Sequence, residues 1–277
     1  MPLPPLPVYV HIPKTGGTSY CSALMHAFPG PSRFSVMGTR EENAARAAQF
    51  AQLSPERHNR LRIAFGHKTE AFHSMTARPV RYFATVRHPF DRMKSSYRQH
   101  VRHCQQTGKP VPALADYLMG FEKRIWHYFL SDAELASFRA AGAAESEIRA
   151  AARLRIDQQY AAIGIMEDMD RSVCLYNLVF GFDIYQIDFL NASPPATVAS
   201  HDAEAQASEA LLADRLAEDV AFYDDLKARF EAHWRSLPDA DEALATFRAK
   251  KRAWQQRNSP LRSRIRKVLF ELKRKRY

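Results

Sequence analysis

The chain of 277 residues is 46% hydrophobic and carries 40 Lys and Arg against 30 Asp and Glu, a formal net charge of +10. That apolar content is enough for one substantial core, and no split into two domains is required. The three cysteines, Cys21, Cys104 and Cys174, are far apart, which excludes a disulfide framework and suits a reducing cytoplasm.

The segment from Met1 to Pro7 is proline-rich and lacks the basic and apolar runs of a signal peptide or membrane span. The richness in alanine and arginine suits a bacterial protein from a GC-rich genome. Val8 to Val10 read as a buried strand that breaks at His11-Ile12-Pro13-Lys14-Thr15-Gly16-Gly17-Thr18-Ser19, and Tyr20 to Phe28 continue as a helix. Thr39 with Glu42 makes a capping-box pattern at the start of an alanine-rich helix, and Ser54-Pro55 opens a short one. Arg62 to His67 is a short strand stopping at a glycine. Arg81 to Val86 is an aromatic and β-branched strand, followed by Arg87-His88-Pro89 and a helix through Met93, Tyr97 and Val101. Leu114 to about Gln159 is helical in pattern with a weak break at Gly142. Tyr160 to Ile165 is a buried strand, and a helix follows through Leu175 and Leu178. Leu216 to Leu226, with Phe230, form an amphipathic helix whose aromatic stripe reads as core. This alternation predicts an α/β fold, a central mainly parallel sheet flanked by helices, over residues 1–257, with residues 258–277 as a separate tail.

The first loop carries the chemistry of anion binding. Adjacent Gly16 and Gly17 let successive N–H groups turn to one point, and the following helix adds its own N–H groups and positive dipole end. Lys14 supplies a mobile charge, and Thr15, Thr18 and Ser19 supply hydroxyl groups. A nucleotide triphosphatase loop needs its lysine after the last glycine, and no G-x-x-x-x-G-K-[ST] occurs. A plain surface turn is the other reading of Lys-Thr-Gly-Gly. A second strand end presents Arg87, and Ser95 falls one to two turns into the next helix, within reach of the anion that Arg87 could clamp. Arg92, Lys94 and Ser96 read as solvated helix positions and His88 as a turn residue.

Pro-Lys-Thr-Gly-Gly-Thr-Ser after a short strand, followed by Val-Arg-His-Pro-Phe-Asp-Arg-Met-Lys-Ser-Ser-Tyr, resembles the two donor-binding motifs of PAPS-dependent sulfotransferases (PAPS, 3'-phosphoadenosine 5'-phosphosulfate). The closest resemblance is to the heparan sulfate 2-O- and 6-O-sulfotransferase branch and its bacterial relatives, over about residues 7–232. It implies a P-loop-NTPase-like fold. Lys14, Thr15, Gly16, Gly17, Thr18 and Ser19 would hold the 5'-phosphosulfate, and Arg87 and Ser95 the 3'-phosphate. Lys14 would also stabilise the leaving oxygen, without a metal. Gly66-His67 resembles the position of that branch's catalytic histidine, though the 2-O members carry His-x-His there. His67 at a strand end suits the general base for an acceptor hydroxyl, with Glu70 as fallback. Ile163-Gly164 through Glu167 is similar to a late strand of the family, and Asp188 to Ser193 to a loop near the adenine.

The implied activity is O-sulfation of a carbohydrate or glycolipid hydroxyl in the cytoplasm, releasing PAP (adenosine 3',5'-bisphosphate), with no nucleic acid partner. The alternatives are a nucleotide-dependent phosphotransferase and a non-catalytic basic adaptor for nucleic acid or membrane. In the tail, Leu261, Ile265, Val268, Leu269 and Leu272 share a helical face amid Arg and Lys. That pattern fits a helix docking on anionic membrane at the inner face, or equally a solvated tail or one packed on its own domain.

Overall fold

The computed structural model describes residues 3–120, 123–187 and 195–258, without the side chains of residue 40 and of 195–211. Five strands, β1 (Leu6–Val10), β2 (Arg33–Val36), β3 (Ile63–Gly66), β4 (Val80–Val86) and β5 (Tyr160–Ile165), form one parallel sheet in the order β2-β3-β1-β4-β5. Around it lie ten helices among the described residues. They are α1 (Gly17–Ala27), α2 (Arg40–Ala51), α3 (Pro55–Arg60), α4 (Pro89–Thr107), α5 (Leu114–Met119), α6 (Asp132–Ala140), α7 (Glu145–Gln159), α8 (Met169–Phe180), α9 (Pro195–Ser236) and α10 (Ala240–Arg257).

The sheet forms where the sequence is apolar on both faces, as a parallel sheet covered by helices demands. Leu6, Val8, Tyr9, Tyr82, Phe83, Ala84 and Val86 are all buried. Within this core buried tyrosine hydroxyls need partners, and one chain of bonds serves Tyr9 and Tyr176. Tyr176 donates to the Ala84 carbonyl (2.9 Å), so Thr85 donates to Tyr176 (3.0 Å) and Tyr9 to Thr85 (3.1 Å). The chain runs from β1 out to the β2 edge, returns through β3 and crosses to β4 on the other side of β1. The switch point therefore lies at the carboxyl ends of β1 and β4, the crevice where open α/β sheets bind ligands. Val10 stands level with Gly66 on one side and Ala84 on the other, which brings the two motif loops and His67 to one end of the sheet.

The expected α/β fold is present, and β5 begins and ends where the sequence pattern places it. The capping box of α2 is formed: Glu42 N–H donates to Thr39 Oγ1 and Thr39 N–H to Glu42 Oε2. The stretch read as helical from Leu114 to Gln159 is three helices and a 3-10 turn, Ile125–Phe129. Four-residue β2 and all of α10 escape the sequence pattern, and α9 begins at Pro195, well before the amphipathic stretch. Leu244 and Phe247 bury the inner face of α10 in the main core. The loop expected from Asp188 to Ser193 and the tail from Ser259 lie outside the described residues. No described helix is long and apolar enough to cross a membrane.

One buried acid ties α9 to the segment before α6. Asp219 accepts from the Ile125 N–H and from Arg124 Nη1, both at 2.8 Å. Asp219→Ala leaves that N–H buried and unpaired, a loss of about 1–3 kcal/mol. The expected result is a melting temperature several degrees lower, at about 2–4 °C per kcal/mol for a chain of this size class, read by calorimetry.

Candidate active site

The loop from Ile12 to Gly16 is held open by left-handed backbone at Lys14 (φ 71°) and Gly16 (φ 77°). At lysine that conformation costs on the order of 1 kcal/mol, which the surrounding contacts must offset. Thr15 helps by donating its buried hydroxyl to the Ile12 carbonyl at 2.8 Å. Its hydroxyl proton is thereby committed inside the loop, so toward an anion Thr15 offers its main chain rather than its side chain. Gly16 caps α1, no acid occupies the first turn, and Thr18 and Ser19 follow within it. The amino end of the helix, at the carboxyl end of β1, therefore carries its dipole uncompensated by acidic side chains of its own first turn.

Cations gather round this loop. Lys14 Nζ donates to Gln99 Oε1 of α4 (3.1 Å), and Arg87 Nη1 donates to the Lys14 carbonyl (3.4 Å). Lys14 is pushed down to about 8, first by burial and then by Arg102, Arg87 and Arg98. Burial also lowers Arg87, against the pull of Asp91 and Glu167. Ser95, Arg98, Gln99 and Arg102 follow the i, i+3, i+4, i+7 spacing, so Ser95 shares the α4 face that meets Lys14. Arg98, Gln99 and Arg102 were not singled out in sequence. Only that helical spacing, referred to Ser95, could have marked them.

The turn at Arg87 has its own brace. Glu167 accepts from the His88 N–H (2.9 Å) and from the Tyr223 hydroxyl (3.0 Å), which joins the second motif to α9. Arg92 departs from its expected solvated role: it is 2% exposed, with Nη1 donating to the Tyr128 hydroxyl (3.2 Å) and Nη2 to the Lys123 carbonyl (3.3 Å). The inner face of α4 packs on the segment before α6, and the guanidinium satisfies polar atoms there. Ser96 likewise bonds Tyr117 Oη (2.9 Å), while Lys94 pairs with Asp91 (2.9 Å).

His67 leaves β3 at Gly66, whose φ of 132° and approach to the Val36 carbonyl leave no room for a Cβ. Its Nδ1 lies 3.0 Å from the His11 carbonyl. A carbonyl only accepts, so Nδ1 carries the proton and the basic lone pair of the neutral ring resides on Nε2. The His11 ring stacks on His67 at 4.1 Å between centroids, 22° from parallel. His11 itself is buried, with no hydrogen-bond partner for Nδ1 among the described residues, and is held well below the ordinary imidazole value by burial, then by His67 and Lys14. A Cβ on Gly17 would lie 2.1 Å from His11 Cδ2. One ring thus touches both the anion loop and the candidate base, a residue that sequence reading passed over. Glu70 is buried nearby and its carboxyl is pushed up to about 7 by desolvation.

The cationic loop at the start of α1, Arg87 beside it and His67 at the neighbouring strand end together form the candidate site. The profile of the sulfotransferase family matches residues 8–148, just over half of the chain and the part that carries both motifs and His67. The chain belongs to the sulfotransferase family. It is also similar in structure to a crystallised sulfotransferase from Alicyclobacillus acidocaldarius, with 17% identity, 84% of this chain and 99% of that chain covered, and a TM-score of 0.39. No curated protein matches the chain.

The contact between Gly17 and His11 is open to a direct test. Gly17→Ala should cost about 1–3 kcal/mol by overpacking, and adding His11→Ala should return part of that loss. Melting of the two single variants and the double variant measures the coupling; strictly additive losses would mean that the two residues do not share this space.

Proposed function

We propose that the chain is a PAPS-dependent O-sulfotransferase of the heparan sulfate 2-O/6-O-like branch, acting on a hydroxyl of a carbohydrate or glycolipid. The observation that carries this reading is the pairing, at one end of the sheet, of a cluster of four cations with a histidine whose Nε2 is the basic nitrogen. The residues fit the donor: Lys14, Arg87, Arg98 and Arg102 repel one another unless an anion lies among them.

Bound PAPS supplies an activated sulfuryl group and leaves as PAP. The main chain of residues 15–19 with Lys14 would hold the 5' end, and Arg87 with Ser95 the 3'-phosphate. The Lys14 ammonium opposes charge growing on the leaving oxygen and so favours the transition state over the ground state. His67 Nε2 takes the acceptor hydroxyl proton while the His11 carbonyl fixes its tautomer. The buried, neutral His11 ring keeps water and a competing charge away from that face of the base. No step calls for a metal. The cytoplasm, at the inner membrane face if the tail binds anionic lipid, is the setting proposed for this chemistry.

Calorimetry with PAP in EDTA tests the donor site. Wild type should bind without metal, and Arg87→Ala should weaken binding at least tenfold; no binding, with turnover of ATP and magnesium instead, would replace this reading with phosphoryl transfer. Because Lys14 is poised near 8, its charge is present below that pH and lost above it. PAP affinity should therefore fall as pH rises from 7 to 9, and Lys14→Arg should flatten the profile. With radiolabelled PAPS and a panel of glycan acceptors, His67→Ala should lower kcat by about 10²–10⁴ and leave PAP affinity within twofold of wild type. An unchanged kcat would move the role of base to Glu70.

A further inference from the structure

The β2 edge of the sheet holds a second concentration of positive charge. A hollow of about 450 Å³ is lined by Arg33, Ser35, Arg46, Arg57 and Arg60, with Gly30 and Pro31 beside them, and no acidic side chain is part of that lining. Three successive elements contribute: Arg33 opens β2, Arg46 comes from α2, and Arg57 and Arg60 from α3. Arg33 pairs with Ile63 at the amino end of the strands, whereas His67 follows the carboxyl end, where Val36 pairs with Gly66. The hollow is therefore separate from the donor crevice.

Three of the arginines, Arg33, Arg46 and Arg57, donate to neutral oxygens. Arg33 Nη1 donates to the Met25 (3.2 Å) and Phe28 (2.5 Å) carbonyls, and Arg46 to the Ser35 carbonyl (3.4 Å) and Gln49 Oε1 (2.9 Å). Arg57 donates to the carbonyls of Pro31, Gly30 (3.4 Å) and Arg33 (3.1 Å). Such bonds orient a guanidinium and satisfy the outward carbonyls of an edge strand, but they cancel none of its charge. Glu56, one turn before Arg60, is exposed and outside the lining, and Arg60 is the one lining arginine that helps to lower its carboxyl. Four like charges around one half-enclosed volume favour a multiply charged oxyanion, and planar guanidinium groups match the oxygen spacing of sulfate and phosphate.

We propose that this hollow is an oxyanion-binding exosite that takes a sulfate or phosphate ester group, on a sulfated sugar or a free phosphate compound. It does not depend on the sulfotransferase reading. The test uses the full chain carrying Lys14→Ala and Arg87→Ala, which disables the donor crevice, titrated calorimetrically with sucrose octasulfate and with inorganic pyrophosphate. At least one probe should bind, and Arg60→Glu, at an exposed position that leaves the melting temperature unchanged, should weaken it tenfold or more. Arg46→Gln, on a different element, should weaken the same probe. Tighter binding of sucrose octasulfate identifies a sulfated sugar as the source, and tighter binding of pyrophosphate a free phosphate compound. The proposal is overturned if neither probe binds, if Arg60→Glu changes neither affinity, or if Arg46→Gln has no effect.

Discussion

The site depends on how the space between the ends of β1 and β3 is filled. The His11 ring lies there, against Gly17 on one side and His67 on the other, while its own carbonyl holds the proton of His67 Nδ1. The Lys14 loop and His67 come from separate strands, yet neither can shift without moving this ring. Packed interiors transmit such displacements because they contain little free volume. The relative placement of the Lys14 loop and His67 is thus a property of the core rather than of two loops.

The electrostatics follow from the same placement. Left-handed backbone at Lys14, its burial and the three arginines around it are each unfavourable in the isolated protein. They persist because the tyrosine ladder behind β1 and β4, and Glu167 beneath the turn at His88, hold the scaffold rigid. Charge gathered in advance need not be reorganised when an anion arrives, which is where a preorganised site gains over water.

Most of the candidate site was legible in the chain because its signals are local. Strands buried on both faces read as apolar runs, and each ends at residues whose chemistry is unusual at a strand end: Lys14 with Gly16 and Gly17, His67 after Gly66, and Arg87. What could not be read depends on tertiary contact. The four residues of β2 are too few for a periodic signal, and α10 shows its apolar face only through Leu244 and Phe247 once α8 is in place beneath it. Arg92 looks like a surface charge until Tyr128 and the Lys123 carbonyl surround it. His11 gave no sign beyond its neighbour's lack of a side chain, and that sign has meaning only when the loop folds back over the strand.

Arginine serves two purposes in this molecule, and its partners separate them. Between the helices it meets carboxylates: Arg171 with Asp168 and Glu231, Arg229 with Asp157 and Asp225, Arg149 with Glu218 and Arg155 with Glu134. Those pairs neutralise themselves and hold elements together, each contributing modestly where it is exposed. At the donor crevice and along the β2 edge, the oxygens that orient the cations are carbonyls and amides, at Lys14, Gln99, Gly30, Pro31 and Ser35. A carbonyl fixes direction and leaves the charge in place. The excess of basic residues is therefore not spread evenly as a solubilising coat: in both places the fold gathers several cations and orients them in part through neutral oxygens, an arrangement that would suit an anionic ligand.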